Sequence, residues 1–329
     1  MRKLKLGIFG VGHLGKIHIK CIKNLPEMYD LVGFYDPDEN VAQSVQEEFD
    51  IKRYTSQDEL IADCEALDVV STTGTHFDIS KKVLENKKHL FVEKPVTEKY
   101  DQSIILKELG KTNDLIIQVG HVERFNPAFK AIEDWQLEPT YIEGERLGPY
   151  STRGTDVSVI HDLMIHDIDL VLQLIKSPIT EVRANGQSVL SNTPDVCNTR
   201  IEFANGAVAN LTASRISPRK SRRLRIFQKE TFLSLDFMNK KATKLEMVDP
   251  SVNGSGVYDI KTELGDKKYR FQEAYTGDTN AIQDEFAAFY QSIVNGQKVM
   301  VNIDDAGKAL QLVERIVNQI NTKTNKPTV

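Results

Sequence analysis

Two residues four positions apart on an apolar stretch, Asp162 and His166, carry side chains suited to acid–base chemistry. If the stretch 159–175 is an α-helix, a rotation of about 100° per residue places both on one stripe with Asp169 and Gln173. Polar groups on an otherwise apolar helix need partners, so this stripe either stabilises a core network or lines a cavity. We predict that it lines a cavity, with His166 as a general base that Asp162 orients.

Lys94 is the second candidate, because it follows the strand-like run His89–Val92 and precedes Pro95. A proline disfavours the helical region for the residue before it, which keeps Lys94 extended. The reference pKa of lysine, about 10.4, allows it to act as a base near neutrality only if burial or a neighbouring cation lowers that pKa. The alternative is a solvated lysine at a strand end.

Three glycines with the spacing G-x-G-x-x-G connect an apolar run to a helical segment near the start of the chain. Gly10 permits the turn, Gly12 lets a pyrophosphate approach the main chain, and Gly15 lets helix and strand pack closely. The phosphates would bind the N–H groups at the helix N-terminus. About 20 residues further on, Asp36 ends a second apolar run, where its carboxylate can accept hydrogen bonds from a ribose. Because this carboxylate would repel a 2′-phosphate, we predict NAD rather than NADP.

Alternating strands and helices must position these residues in the first part of the chain. Strand-like runs at 66–72, 89–92 and 115–119 are separated by helical segments, which predicts a doubly wound parallel sheet with right-handed crossovers. Ligands of such sheets bind beyond the carboxyl ends of the strands. The residues at those ends are Thr72, Thr73 and Gly74, then Glu93, Lys94 and Pro95, then Gly120 and His121.

The pattern changes after residue 125. Strand-like runs then follow one another without intervening helices, at 179–188, 199–203, 207–214, 224–227 and 231–237. This order predicts a second domain with an open, mostly antiparallel sheet, and the polar stretch Asp249–Lys268 is interpreted as a surface loop. We predict domains over 1–125 and 126–329, with a last helix whose apolar stripe is available to pack back on the first domain.

The composition excludes several classes of partner. Forty-two basic and 47 acidic residues leave a net charge of −5, which gives no general attraction to nucleic acid or to an anionic membrane. The cysteines, Cys21, Cys64 and Cys197, lie far apart without C-x-x-C spacing, which indicates a reducing compartment. No run of about 18 apolar residues is available to span a membrane. We expect a cytoplasmic protein with neither nucleic acid nor membrane as a partner.

Four motifs together resemble those of the glucose-fructose oxidoreductase and inositol dehydrogenase family (Gfo/Idh/MocA), and the resemblance covers nearly the whole chain. In chain order they are Gly10-Val11-Gly12-His13-Leu14-Gly15, Ser71-Thr72-Thr73 with His76, Glu93-Lys94-Pro95, and Asp162-x-x-x-His166-Asp167. The resemblance implies an NAD(P)-binding Rossmann domain followed by an open sheet domain for substrate binding and for formation of a homodimer or homotetramer. The residues that it implies for the cofactor are Gly10, Gly12, His13, Leu14, Gly15, Asp36, Thr72, Thr73, His76, Glu93 and Lys94.

The resemblance also implies an activity. The motif lysine falls on Lys94, and the family's catalytic aspartate and histidine fall on Asp162 and His166. The segments 120–127, 162–169 and 212–215 most resemble the branch of UDP-N-acetylglucosamine 3-dehydrogenases. This implies oxidation of a secondary sugar hydroxyl, at C3 of a nucleotide-linked amino sugar. His166 would take the proton while Lys94 polarises the oxygen or shares the proton transfer, and which of them is the main base stays open.

Other residues are predicted to bind an anionic substrate alongside Lys94, Asp162 and His166. Arg124 and Asn126 follow the last strand of the first domain, and an arginine can bind phosphate bidentately. Arg215 begins the basic segment 215–225, for which a solvated strand edge is an equal explanation. We predict no metal site, because no H-E-x-x-H or cysteine-rich pattern is present.

Two other functions stay open on the sequence alone. An NAD-dependent glycoside hydrolase that oxidises its substrate transiently would release free sugar without net NADH. A non-enzymatic NAD-dependent sensor would not need Lys94, Asp162 and His166 together.

Overall fold

The computed structural model describes residues 2–151, 157–275 and 277–324 of the chain. A 3₁₀ helix spans Val122–Phe125 and a π-helical turn spans Ile160–Met164. The α-helices are α1 (His13–Lys23), α2 (Glu39–Phe49), α3 (Gln57–Asp63), α4 (Thr73–Glu85), α5 (Tyr100–Thr112), α6 (Pro127–Lys130), α7 (Ile165–Leu174), α8 (Ala281–Asn295) and α9 (Ile303–Thr324).

The strands form two sheets. They are β1 (Leu4–Phe9), β2 (Tyr29–Tyr35), β3 (Ala66–Val69), β4 (His89–Glu93), β5 (Ile117–Gly120), β6 (Tyr141–Leu147), β7 (Ile179–Gln187), β8 (Val196–Phe203), β9 (Val208–Ser214), β10 (Ser221–Gln228), β11 (Thr231–Asp236), β12 (Lys241–Val248), β13 (Val257–Thr262) and β14 (Gly265–Ala274).

Contacts divide the chain into two compact units. Unit 1 contains the chain up to Val122 together with Asn280–Gln311, and unit 2 contains Glu123–Thr279 together with the chain from Leu312. The predicted division at residue 125 follows chain order, whereas the contacts also assign α8 to unit 1. The physical reason is aromatic packing, since Phe286 of α8 stacks on Phe91 of β4 with ring centroids 4.7 Å apart.

Unit 1 contains a five-stranded sheet in the order β2-β1-β3-β4-β5, with every strand pair parallel. The predicted Rossmann sheet is therefore confirmed. Its central strands are buried along their length, for example Ala66–Val69, because helices cover both faces of such a sheet. The carboxyl ends of β1, β3 and β4 consequently lie side by side at one edge.

Unit 2 contains a nine-stranded sheet in the order β13-β14-β12-β11-β10-β6-β9-β8-β7. All pairs are antiparallel except β6 with β9, which confirms the predicted mostly antiparallel sheet. Buried residues alternate along β6 and β8, as expected where one face packs against helices and the other faces solvent. Helix α7 packs against β6 and β9 on the covered face.

The predicted surface loop Asp249–Lys268 is wrong for much of its length, because β13 and the start of β14 form an antiparallel hairpin there. The hairpin lies at the edge of the sheet and none of its strand residues is fully buried, so burial imposes no apolar alternation on its sequence. Cross-strand pairs stabilise it, including Tyr258 stacked on Tyr269 with ring centroids 5.4 Å apart.

Within the described ranges, every helix is too short or too polar to span a lipid bilayer.

Candidate active site

The glycine turn of unit 1 lies between β1 and α1, and the space available for a side chain differs among its three glycines. Gly10 has φ +90°, and a Cβ there would lie 2.7 Å from Ser71 Cα. A Cβ on Gly15 would lie 2.3 Å from the Gly10 carbonyl oxygen, so α1 could not approach the turn. A Cβ on Gly12, by contrast, would meet nothing within 4 Å. The structure itself therefore does not require glycine at position 12, but a ligand pressed against the main chain would.

The N-terminus of α1 supplies donors for such a ligand. Gly12 is the N-cap residue, and within the described chain no side chain caps the helix and no acidic residue occupies its first turn. The first N–H groups of a helix lack intrahelical acceptors and carry the positive end of the helix dipole. This end of α1 therefore fits a pyrophosphate, and an aspartate cap that would compete with the phosphate is absent from the described first turn.

A cavity of about 550 Å³ opens beside this turn. Among the predicted cofactor residues, those that line it are Gly10, Gly12, His13, Leu14, Asp36 and Thr72. The carboxylate of Asp36 accepts a hydrogen bond from Val11 N–H at 2.8 Å through Oδ2 and one from Asp38 N–H at 2.9 Å through Oδ1. Asp36 thus links the ends of β1 and β2 and presents its half-buried carboxylate at the cavity wall.

Lys94 lies at the same edge of the sheet, directly after β4, and is half-buried. The ring of the buried His76 connects the turn after β4 to the turn after β3. Its Nδ1 lies 2.8 Å from Pro95 O and its Nε2 lies 3.0 Å from Ser71 O. Burial lowers the pKa of His76, although both carbonyl contacts oppose this effect. Thr72 is the N-cap residue of α4 and Thr73 its first residue, so both begin the helix that carries His76.

Sequence reasoning missed a buried cluster beneath Lys94. Nδ1 of His18 lies 2.9 Å from Asp68 Oδ2, and its Nε2 lies 3.4 Å from Glu93 Oε1. A histidine on the apolar face of α1 and an aspartate inside the apolar run of β3 were the signals available in the sequence. Glu93, predicted as a cofactor residue, is itself only 7% exposed and accepts a hydrogen bond from Lys94 N–H.

In unit 2, Asp162 and His166 lie on either side of a change in helix type. The prediction of one regular α-helix through both is wrong, because Ile160–Met164 is a π-helical turn in which Ile165 N–H donates to Ile160 O. The wider turn alters the angular spacing on which the stripe was predicted. Asp162 and His166 are half-buried, whereas Asp169 is fully buried, so the stripe does not continue as one surface.

Two buried ion pairs, both at residues that follow His166, hold α7 in place. Asp169 accepts hydrogen bonds from Arg124 through both carboxylate oxygens, one of them at 2.7 Å from Nε. Asp167 pairs with Arg146 of β6 at 2.8 Å, and Arg146 also donates to Glu123 at 2.7 Å. Burial raises the pKa of Asp167, while the charge of Arg146 opposes the rise.

The remaining predicted substrate residues have identified partners within unit 2. The Asn126 side chain caps α6 by accepting from Ala128 N–H at 3.0 Å and donates to Glu123 at 3.0 Å. The buried Arg215 donates to Asp195 at 2.8 Å through Nε and to Val157 O at 2.9 Å. The structure therefore places Arg124 and Arg215 in buried ion pairs, and their predicted contact with substrate stays a prediction.

Metal ligation was also considered. Among the residues that the structure describes, no group of three or more His, Cys, Asp or Glu side chains is arranged to hold a metal ion.

Comparison with protein families assigns both parts of the chain. Residues 4–121 match the model described as oxidoreductase family, NAD-binding Rossmann fold. Residues 133–233 match the model described as GFO/IDH/MocA C-terminal domain. Together with the parallel sheet and the glycine turn, these matches define an NAD-binding oxidoreductase. Within that class, the chain belongs to the Gfo/Idh/MocA family.

Several relatives cover most of the chain. The UDP-N-acetylglucosamine 3-dehydrogenase of Acidithiobacillus ferrooxidans is 34% identical over 240 residues, which are 73% of this chain and 76% of that protein. The scyllo-inositol 2-dehydrogenase (NAD(+)) of Bacillus subtilis is 30% identical over 236 residues, 66% of this chain and 68% of that protein. A solved structure of the Acidithiobacillus enzyme has a TM-score of 0.89 at 28% identity and covers 99% of this chain and 100% of that one.

The open space at Gly12 yields a prediction about cofactor affinity. Gly12→Ala should leave thermal stability unchanged, because the added methyl group meets nothing, but should weaken NAD binding about tenfold or more by holding the pyrophosphate off the main chain. Calorimetric titration with NAD measures the effect. Gly148→Ala is the matched control, since its Cβ also meets nothing within 4 Å. An unchanged NAD dissociation constant for Gly12→Ala would refute the assignment.

Asp195 yields a prediction about pH and stability. Burial acts to raise its pKa, but hydrogen bonds from Leu190, Val189, Ser191 and Arg215 hold that pKa well below the ordinary value. A depressed pKa adds stability above the unfolded-state pKa of about 3.9, and this stability is lost as pH falls through the folded-state pKa. Asp195→Asn should therefore cost about 3 kcal/mol at neutral pH. In urea denaturation the difference from wild type should shrink below about pH 4, and a constant difference would contradict the argument.

Proposed function

We propose that this enzyme oxidises the C3 hydroxyl of UDP-N-acetylglucosamine, or of a closely related nucleotide-linked amino sugar, with NAD as the hydride acceptor. The observation that carries the proposal is similarity over the full length, with a TM-score of 0.89 and coverage of 99% and 100% against the Acidithiobacillus 3-dehydrogenase. That enzyme is also 34% identical over 240 residues, compared with 30% over 236 residues for the inositol dehydrogenase.

In this proposal His166 accepts the hydroxyl proton as the hydride leaves the same carbon. A general base must keep its ring nitrogen within hydrogen-bond reach of that proton. The two buried ion pairs support such a role, because Arg146 with Asp167 and Arg124 with Asp169 hold the first turn of α7 just after His166. Asp162, one π-helical turn earlier, orients the imidazole.

Lys94 is proposed to polarise the substrate oxygen. Its position supports this role, since it follows β4 at the edge where β1 carries the glycine turn and β3 carries Thr72. NAD supplies the hydride acceptor, and an ammonium close to the hydroxyl oxygen stabilises the negative charge that develops as the proton leaves. Lys94 is also positioned in this proposal to share the proton transfer with His166.

A diphosphate needs cations that are not already neutralised. Arg124 and Arg215, proposed here to bind substrate with Asn126, each have a buried carboxylate partner. Arg219 and Lys220 are exposed and lie just before β10. We propose that Arg219 and Lys220 also contact the diphosphate, alongside Arg124, Asn126 and Arg215.

Oxidation of a free cyclitol is the second candidate, and the 30% identity to scyllo-inositol 2-dehydrogenase favours it. A cyclitol has no phosphate groups, so it would make no use of Arg219 and Lys220. A homodimer or homotetramer and a cytoplasmic location, which the family resemblance and the composition imply, belong to the proposal in either case.

A substrate panel tests the proposal directly. Purified enzyme with NAD should produce NADH with UDP-N-acetylglucosamine, and the sugar product should have lost two hydrogens by mass spectrometry. myo-Inositol, scyllo-inositol and free N-acetylglucosamine should react with kcat/KM lower by about a hundredfold or more, since they lack the diphosphate. Preference for an inositol would favour the second candidate. Release of free sugar without NADH would indicate glycoside hydrolysis, and NAD binding without turnover would indicate a sensor.

Substitution of the proposed catalytic residues gives a separate prediction. Lys94→Met and His166→Asn should each lower kcat about a hundredfold or more while the NAD dissociation constant stays within about twofold. Lys99→Met and His161→Asn are the matched controls, because each removes the same side chain close by in the sequence. Full turnover by either Lys94→Met or His166→Asn would eliminate the corresponding role.

A further inference from the structure

The cluster of His18, Asp68 and Glu93 lies within unit 1 and has no part in the proposed chemistry so far. His18 and Asp68 are 0% exposed and Glu93 is 7% exposed. The imidazole lies between the two carboxylates, with Nδ1 2.9 Å from Asp68 and Nε2 3.4 Å from Glu93. Isolated charges are too costly to bury, so these three groups must balance one another.

A protonated imidazole provides that balance. Burial alone would lower the pKa of His18, but the charge and hydrogen bond of Asp68, followed by the nearby carboxylate of Glu93, raise it to about 10. Burial also acts to raise the pKa of Glu93, but the nearby imidazole of His18, aided by Lys94, holds it below the ordinary value. Burial raises the pKa of Asp68 despite its contact with His18. The cluster thus favours an imidazolium paired with an ionised Glu93.

Glu93 transmits this pairing to the turn that carries Lys94. Its Oε2 accepts a hydrogen bond from Lys94 N–H at 3.0 Å. The neighbouring residue on β5, Gly120, leaves the necessary space, since a Cβ there would lie 2.5 Å from Glu93 Oε1. An ionised carboxylate accepts such a bond more strongly than a protonated one. The charge state of Glu93 therefore decides how firmly the main chain of Lys94 is held.

We infer that His18 is a positioning residue, held as an imidazolium between Asp68 and Glu93, which keeps Glu93 ionised so that its carboxylate fixes the main chain of Lys94. The structural part of this inference stands on unit 1 alone. Its consequence for turnover rests on the proposed function, in which the ammonium of Lys94 polarises the substrate oxygen.

Other titratable groups near the cluster belong to neighbouring elements. Lys94 and His76 of α4 act on the Glu93 side, and Tyr29 of β2 lies near Asp68. Helix α8 presents an aromatic ring, that of Phe286, at 5.1 Å between ring centroids from His18. In a variant without the imidazolium, Lys94 still favours ionised Glu93, while burial and the charge of Asp68 oppose it.

The first experiment is spectroscopic and needs no substrate. In wild-type enzyme the ¹⁵N shifts of His18 should show both ring nitrogens protonated at about pH 8, where an ordinary histidine is neutral. A neutral ring at that pH would overturn the inference. This measurement also decides the question if His18 variants fail to fold.

The second experiment follows the backbone amide of Lys94 in protein labelled with ¹⁵N-lysine, with Lys94→Arg used to assign the resonance. In wild type this resonance should stay constant from about pH 6 to about pH 9. In His18→Gln, which keeps an amide donor but no charge, it should shift as Glu93 takes up a proton within that range. The double variant His18→Gln/Glu93→Gln should lose the shift, because a neutral amide oxygen accepts at every pH. A flat titration in His18→Gln would overturn the inference.

The third experiment separates positioning from packing. At saturating NAD and substrate, kcat of His18→Gln should be about tenfold or more below that of wild type near pH 6.5. The ratio of the wild-type kcat to the variant kcat should fall toward one near about pH 9, as Glu93 ionises. His89→Gln, which removes a half-buried histidine at the other end of β4, should show a ratio independent of pH. A pH-independent ratio for His18→Gln would indicate packing alone. If wild type oxidises no sugar or cyclitol, the proposed function fails, while the two spectroscopic results still decide the role of His18.

Discussion

A parallel sheet collects the carboxyl ends of its strands at one edge, and the ligand-facing residues of unit 1 depend on this constraint. The glycine turn follows β1, Thr72 follows β3, and Lys94 follows β4. Each of these residues lies within a few positions of the end of its strand. The rigid strands therefore determine where it lies. The chemistry of the edge is therefore set by the order of the strands rather than by flexible loops.

Buried ion pairs occur in both units. Unit 1 contains His18 with two carboxylates, and unit 2 contains Arg124 with Asp169 and Arg146 with Asp167. Such pairs add little net stability compared with apolar residues of the same shape, but breaking one leaves an uncompensated charge, which is costly. Breaking any of these pairs is therefore expected to disturb α7 or the Lys94 turn.

The sequence predicted the features that local patterns encode. Glycine spacing, strand and helix alternation and the acidic end of β2 identify the Rossmann sheet and its cofactor turn. The π-helical turn before α7 escaped prediction because its residues are as apolar as those of a regular helix. The hairpin of β13 and β14 escaped because none of its strand residues is fully buried, which leaves no alternation to detect. The partners of His18 and Arg215 are distant in sequence, so their pairing follows from tertiary structure alone.

Asp36 both lines the cavity and stabilises the glycine turn. The carboxylate of Asp36, which lines the cavity, also accepts the Val11 and Asp38 main-chain hydrogen bonds that tie the glycine turn to the end of β2. Exchange of this residue for a smaller or basic one, as a 2′-phosphate would require, also releases both ties. A change of coenzyme preference made at Asp36 would therefore also remove main-chain hydrogen bonds that hold the glycine turn.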